Sequence, residues 1–154
     1  MSEVFVAVAD AGSDAARWAM TQYFAELDAR FPDGFDATGA LDGATASYNP
    51  PAGLFLVATL DGVTVGCAGL QHLDAGTSEV KRMWVSPAAR GRGLATRLLR
   101  MLEDETLASG RSSVVLDTNA TLTEAISLYE RRGYASVERY NDNPYAQRWF
   151  RKSL

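Results

Sequence analysis

Midway along the chain stand the residues Trp84-Val85-Ser86-Pro87-Ala88-Ala89-Arg90-Gly91-Arg92-Gly93-Leu94-Ala95. An apolar, β-branched segment precedes them and a segment of helical periodicity follows. Gly91 and Gly93 permit a left-handed backbone and a close approach to a ligand. Free N–H groups at a helix start favour an anion such as a pyrophosphate, and the neighbouring Arg90 and Arg92 can add charge-assisted hydrogen bonds. The stretch therefore predicts a strand, an anion-binding turn and a helix; the alternative is a glycine turn that only starts a helix.

The segments before this turn predict an antiparallel meander. Gly53–Leu60 is an apolar run, and Asp61-Gly62 joins it to residues 63–73 as in a two-residue hairpin. Thr77–Val85 follows as the next strand. The turn contains no Gly-Lys-Ser/Thr, and its glycine spacing differs from the dinucleotide-binding fingerprint. Both of these common phosphate motifs are therefore excluded.

The chain before the meander predicts a strand and a helix. Residues 5–9 are typical of a first strand, and Ser13 can cap a helix that continues through Leu27. Proline and glycine interrupt residues 31–50, which we expect to form loop or short helix.

The chain after the turn alternates between helix and strand. The helix that starts at the turn should end at Gly110, before a short buried strand at 114–116. Thr121-Leu122-Thr123-Glu124 has the spacing of a capping box and predicts a helix that stops at Gly133. Closing strands are expected at 135–140 and 147–154. The whole order predicts one α/β (α+β) domain over residues 1–154, with a mixed, mostly antiparallel, twisted sheet of about seven strands and helices on both faces.

Composition limits the classes of function. The formal net charge of −4 argues against general nucleic-acid binding. One cysteine, Cys67, cannot form an internal disulfide, and with a single histidine it cannot build a structural zinc site, so no metal is expected. The N-terminus shows no signal peptide and no apolar run is long enough for a membrane span. We therefore expect a cytoplasmic protein that binds neither membrane nor nucleic acid.

The charges are unevenly distributed. Residues 1–47 contain eight acidic and two basic side chains, whereas six basic side chains fall within twenty positions around the glycine turn. These six are Lys81, Arg82, Arg90, Arg92, Arg97 and Arg100. Such a concentration of base in an acidic chain indicates an anion site.

The turn motif Arg90-Gly91-Arg92-Gly93-Leu94-Ala95 resembles the Gln/Arg-x-x-Gly-x-Gly/Ala signature of the Gcn5-related N-acetyltransferase (GNAT) superfamily. The resemblance covers most of the chain, because Lys81-Arg82-Met83-Trp84-Val85, Leu116-Asp117-Thr118 and the segment from Ala125 to Tyr134 also match in order. The segment Tyr140-Asn141-Asp142-Asn143-Pro144-Tyr145 is similar to small bacterial members, some of them fused to MarR-type regulators.

The resemblance implies acetyl-CoA as co-substrate and a set of site residues. Met83 and Val85 would pair with the pantetheine arm, with Trp84 between them pointing to the other side of the strand. The pyrophosphate would be bound at Arg90, Gly91, Arg92, Gly93, Leu94, Ala95 and Thr96. Tyr129 matches the tyrosine that protonates the departing thiolate. Many members have an asparagine seven residues earlier, where this chain has Leu122, and Asn119 is the nearby substitute.

The sequence defines the catalytic base and the acceptor substrate less clearly than the cofactor site. Glu79 aligns with a glutamate that serves as base in some relatives, but it lies two residues from Lys81 and can instead form a same-face ion pair. His72 or a water chain are the other candidates. The acidic first third suggests a cationic small-molecule or peptide amine as acceptor, with Tyr23, Phe24, Phe31, Phe35, Tyr140 and Tyr145 as candidate pocket residues. The alternatives to an N-acetyltransferase are a non-catalytic acyl-CoA sensor or interaction module; the resemblance is also compatible with a homodimer.

Overall fold

The computed structural model describes residues 3–154. In this part of the chain seven strands and four α-helices follow one another, with a 3-10 turn at Pro87–Ala89. The elements are β1 (Val4–Val8), α1 (Asp14–Arg30), α2 (Ala44–Ser47), β2 (Gly53–Leu60), β3 (Val63–His72), β4 (Thr77–Val85), α3 (Leu94–Ala108), β5 (Ser113–Thr118), α4 (Thr123–Arg131), β6 (Ala135–Val137) and β7 (Arg148–Ser153). None of the described helices is long and apolar enough to cross a membrane.

All seven strands form one sheet in the order β1-β2-β3-β4-β5-β7-β6. Every neighbouring pair is antiparallel except β4 and β5, which are parallel and joined by the crossover helix α3. The mixed, mostly antiparallel sheet predicted from the sequence is confirmed.

Helices cover both faces of the sheet. On one face α1 packs Met20 and Phe24 against Phe55 and Trp84. On the other face the leucines of α3 pack among the strand residues Leu56, Leu70 and Leu116. Burying these side chains on both faces fixes the positions of the helix ends relative to the strands, and two of those ends border the site.

The Asp61-Gly62 hairpin and the Ser13 cap are confirmed. Asp61 and Gly62 have φ of 52° and 79°, as a two-residue primed turn requires. The Ser13 side chain accepts the N–H of Ala16 at 3.2 Å.

Two local predictions were wrong. The helix α4 starts with Leu122 as its N-cap and has no side-chain cap, because the Thr121 hydroxyl donates to Asn119 Oδ1 at 2.8 Å instead of capping. The strand expected at 135–140 ends at Val137, since its partner β7 begins at Arg148 and pairs only with Ala135–Val137. Beyond the strand, Tyr140 donates its hydroxyl to Glu79.

A bulge in β4 opens the sheet. Arg82 has a φ of 56°, and two residues of β4, Arg82 and Met83, lie opposite Ala68 of β3. The strands β4 and β5 pair only from Thr77 to Glu79; beyond that point no described strand pairs with the β5-facing edge of β4. The cleft between the diverging strands leads to the candidate site.

Candidate functional site

The glycine turn presents a row of backbone N–H groups. Gly91 and Gly93 have φ of 78° and 72°, and Gly93 is the N-cap of α3 without a side-chain cap. The amides from Gly91 through Thr96 donate to no other group in residues 3–154. Unpaired amides at the start of a 15-residue helix form an anion-binding surface.

This turn borders the first of two cavities, about 410 Å³ in volume, which we call the turn cavity. Nine of the eleven predicted cofactor residues line it: Met83, Trp84, Val85, Arg90, Gly91, Gly93, Leu94, Ala95 and Thr96. Arg92 is exposed and lies outside the lining, as does Asn119. The remaining walls come from α1 and α4.

Two ion pairs that involve side chains of α1 border the turn cavity. Glu26 accepts from the Arg90 guanidinium, which also donates through Nε to the carbonyl of Val85 at 3.3 Å. Arg30 pairs with Glu124 at the start of α4, at 2.9 Å. Because each pair has at least one partner that is half exposed or more, it contributes little to stability, but it holds a cation beside the cavity.

A second cavity of about 330 Å³ lies between α1, the loop after it and the segment before β7. We call it the aromatic cavity. Five of the six aromatic residues expected at the acceptor line it: Tyr23, Phe24, Phe31, Phe35 and Tyr145. Tyr140 is outside the lining. The rings form a continuous cluster, with Phe24 and Phe35 5.6 Å apart and nearly parallel, and Phe35 and Tyr145 4.6 Å apart and tilted.

The two cavities adjoin. They share a wall made of Tyr23, Leu27, Met83, Leu122 and Ala125. Tyr129, one helical turn after Ala125, is buried in the wall of the aromatic cavity, and its hydroxyl makes no hydrogen bond to another described residue. Burial, followed by the charge of Asp117, raises the pKa of Tyr129 above its usual range, so the hydroxyl stays protonated at neutral pH.

Asn119 is separate from the other cofactor candidates. Its Nδ2 donates to the carbonyl of Tyr145 at 2.8 Å, and its Oδ1 accepts from the backbone and hydroxyl of Thr121. The residue is buried and lines the aromatic cavity. It therefore ties the end of β5 to the segment before β7, and its side chain has few groups left for a ligand.

Glu79 is also engaged within the protein. It is 4% exposed, accepts the hydroxyl of Tyr140 at 2.5 Å, and lies 3.5 Å from the ammonium of Lys81. Neither Glu79 nor His72 lines either cavity. The same-face ion pair that competed with a base role for Glu79 is thus present.

Asp117 is the carboxylate that faces the aromatic cavity. Its Oδ2 accepts from Asn141 at 2.5 Å and lies 3.7 Å from Lys81, which connects it to the Glu79 network. The sequence did not identify Asp117 as a site residue, because no local motif marks an aspartate on a buried strand as functional. The motif Leu116-Asp117-Thr118 was visible, but only the packing of Asn141 and Asn143 against it shows its environment.

Arg82 is the second residue that sequence reasoning missed as part of the site. It lines the aromatic cavity, and its guanidinium lies between the rings of Phe24 and Tyr48, 5.2 and 5.0 Å from their centroids. The basic cluster around the turn included Arg82, but its side chain points away from the turn because the β4 bulge redirects it. Within residues 3–154 no three His, Cys, Asp or Glu side chains come together as metal ligands would.

Comparisons with known proteins show the family to which the chain belongs. The model of the acetyltransferase (GNAT) family matches residues 14–134. The IAA acetyltransferase of Azospirillum brasilense is 38% identical over 120 residues, which are 76% of this chain and 77% of that protein. For two further curated relatives the chain covers only 61% and 60% of their length.

Solved structures show the same fold. An acetyltransferase of the GNAT family from Staphylococcus aureus Mu50 superposes with a TM-score of 0.85 at 17% identity, covering 99% of both chains. YncA, an acetyltransferase from Salmonella typhimurium solved with its cofactor acetyl-CoA, gives a TM-score of 0.70 at 22% identity, covering 99% of this chain and 94% of that one. The family match over most of the chain shows that this protein belongs to the GNAT acetyltransferases and is an acetyl-CoA-dependent N-acyltransferase.

Proposed function

We propose that acetyl-CoA occupies the turn cavity and that a small primary amine occupies the aromatic cavity, with transfer taking place at their shared wall. The observation that carries this proposal is that the two cavities adjoin at Met83 on the unpaired part of β4. Each substrate then has its own entrance, and the two reacting groups meet where the sheet opens.

The residues of the turn suit a pyrophosphate. Six consecutive amides have no partner within the described chain, and a Cβ placed on Gly91 or Gly93 would meet no atom within 4 Å, so space for a ligand is open in front of them. Arg90 stands beside them, paired with Glu26, and its guanidinium keeps further N–H groups that could reach a phosphate oxygen. Phosphate oxygens would receive hydrogen bonds that the protein does not use internally.

Bound acetyl-CoA supplies an acetyl group activated as a thioester. The amine nitrogen bonds to the thioester carbonyl carbon, the carbon–sulfur bond breaks, the amine loses a proton and the sulfur gains one. The backbone of β4 near Met83–Val85 has no strand partner on its β5 side, so it can place N–H groups at the developing oxyanion. The Tyr129 hydroxyl, which has no hydrogen-bond partner in the described chain and lies next to the shared wall, gives its proton to the departing sulfur.

The proton of the amine passes towards the acidic network behind β4. Asp117 faces the aromatic cavity, and Glu79 lies behind it, joined through Lys81 and Asn141. Glu79 therefore receives the proton through Asp117 or an intervening water, since its own carboxylate is outside the cavity lining. His72 lines neither cavity, so we do not assign it the role of base.

The variant Tyr129→Phe tests whether Tyr129 is the general acid. Loss of a positioned general acid costs about 10²–10⁴-fold in rate, so kcat should fall by at least about a hundredfold while the Kd for CoA is unchanged. The phenylalanine should fold normally because the hydroxyl makes no hydrogen bond in the described chain. Thiol release measured over a panel of primary amines, with calorimetric titration of CoA, gives both quantities.

Tyr23→Phe is the matched control, because Tyr23 is a half-buried tyrosine that lines both cavities. It should retain activity within several-fold. If Tyr23→Phe abolishes thiol release and Tyr129→Phe does not, Tyr129 is not the acid. Tight CoA binding by the native protein without amine-dependent thiol release would contradict transfer to an amine altogether.

A further inference from the structure

The charges around the aromatic cavity differ from those expected from the sequence. None of the eight acidic residues among positions 1–47 lines this cavity, although α1 and the loop after it form much of its wall. Its single lining carboxylate, Asp117, is shared with Lys81 and two asparagines. The wall therefore offers no free acidic side chain for a cationic acceptor.

Arg82 gives the cavity a positive charge that no described carboxylate pairs with. Its guanidinium donates to the carbonyl of Ala40 at 2.8 Å and to the sulfur of Met20 at 3.2 Å. No carboxylate of residues 3–154 lies within 4.0 Å of it. A guanidinium has five N–H groups, so three remain available after these two bonds. Arg82 is half-buried, and these free N–H groups can donate charge-assisted hydrogen bonds to an anionic group of a ligand in the cavity.

The position of Arg82 relates this charge to the reaction. Arg82 directly precedes Met83, which lines both cavities and stands where we place acyl transfer. An anion on the guanidinium would be near the amine that attacks. The rest of the wall includes the adjoining rings of Phe24, Phe35 and Tyr145, which suit an apolar group.

We propose that the acceptor is a primary amine that also carries a carboxylate and an apolar body, as in an α-amino acid with an apolar side chain, and that Arg82 binds the carboxylate. This inference rests on the proposed function and specifies its acceptor. It replaces the cationic acceptor expected from the acidic first third of the chain.

Matched amines test the proposal with the native protein. Thiol release from acetyl-CoA is measured with L-phenylalanine, L-phenylalaninamide and phenethylamine, with the corresponding leucine series, and with spermidine as a cationic amine. The free acids should have a kcat/KM at least about tenfold above their amides and decarboxylated analogues, because only they pair with the guanidinium. In addition, 3-phenylpropanoate, which has a carboxylate but no amine, should compete with the amine and not with acetyl-CoA.

Arg82→Gln provides the second measurement. It should raise KM for the free acids at least about tenfold, leave the amides unchanged and leave the Kd for CoA unchanged. An equal loss for acids and amides would show that Arg82 only holds Ala40 and α1 in place, and would overturn the assignment. Should the variant not fold, the substrate series and the inhibitor decide the question alone.

The outcomes separate this inference from the function on which it rests. Preferential acetylation of spermidine, amides or phenethylamine overturns the carboxylate acceptor and leaves N-acetyl transfer intact. The absence of thiol release with every amine, while CoA still binds, overturns the proposed transfer itself.

Discussion

Gly93 and Gly110 stand at opposite ends of α3 in the same left-handed conformation, with φ of 72° and 85°. A Cβ at either position would meet no atom within 4 Å. Alanine at either glycine should therefore cost a similar amount of folding free energy, about 1–2 kcal/mol. Only Gly93 lies beside the unpaired amides, so Gly93→Ala should also weaken CoA binding by at least about tenfold, since its methyl group would stand where the phosphate approaches.

Gly110→Ala is the control, because Gly110 lies outside both cavities. Calorimetric titration of CoA and urea unfolding of both variants separate the effect on binding from the effect on stability. Equal CoA affinities for the two variants would mean that the phosphate binds elsewhere.

His72 is the chain's single histidine, which makes its titration directly observable. Partial burial, followed by the positive charge of Arg111, lowers the pKa of His72 below the usual value near 6.5. Between that lowered pKa and 6.5 the unfolded chain binds more protons than the folded one, so stability falls as the pH drops through this window. His72→Gln should flatten that fall between pH 7 and the lowered pKa.

The carboxylates with lowered pKa do not obscure this effect. Asp10, Asp36, Asp74 and Glu124 lose their contributions only as the pH falls below the usual range of carboxyl groups. An NMR titration of the imidazole gives the pKa directly, and urea unfolding at several pH values gives the slope. An imidazole pKa at or above 6.5 would contradict the prediction.

At the scale of whole elements, α3 and β7 are joined by a buried polar group. Glu103 of α3 is 7% exposed, accepts the hydroxyl of Tyr134 at 2.8 Å and lies 3.1 Å from the ammonium of Lys152 in β7. Lys152→Met should reduce the free energy of unfolding by about 1–3 kcal/mol, because the carboxylate loses its cation without returning to water.

Arg151→Met is the matched control, since Arg151 is the adjacent residue of β7 and its side chain is exposed. It should change stability by no more than about 0.5 kcal/mol. Adding Glu103→Gln to Lys152→Met should recover part of the loss, because a neutral amide still accepts the Tyr134 hydroxyl. Chemical denaturation of the four proteins measures these differences; no recovery in the double variant would show that Lys152 acts through packing rather than charge.

The elements that the sequence predicts well are those determined by local chemistry. The bounds of β2 and β4 follow from their apolar runs, the hairpin between β2 and β3 follows from Asp61-Gly62, and the start of α1 follows from Ser13. The turn before α3 is equally local, and six of its seven predicted cofactor residues line one cavity together with Met83, Trp84 and Val85 of β4.

The features that the sequence does not predict depend on distant contacts. The bulge places an arginine at positive φ, which no local preference of arginine favours. Thr121 has capping-box spacing, but Asn119 engages its hydroxyl. The aromatic cavity joins Phe35 to Tyr145 across 110 positions of the chain, so its charge could not be inferred from the acidic composition of one segment.

At the scale of the whole molecule, the sheet has two halves joined by a short ladder. The strands β1–β4 and β5–β7 meet through three residue pairs of β4 and β5. The core around α3 nevertheless includes side chains from both halves, such as Leu56 and Leu70 from one and Leu116 and Phe150 from the other. We propose on this basis that residues 1–154 form a single domain.

A single domain should unfold in one cooperative transition, with equal calorimetric and van't Hoff enthalpies. Acetyl-CoA in the turn cavity would contact both β4 and α4 and should stabilise the whole molecule. At 100 times its Kd the gain is about 2.7 kcal/mol, which for a chain of this length corresponds to a rise in Tm of about 5–10 °C. Differential scanning calorimetry with and without CoA measures both quantities, and Gly93→Ala should show a smaller rise at the same CoA concentration. Two separate transitions, of which CoA shifts only one, would instead show that the halves of the sheet fold independently and that the cofactor binds to one of them alone.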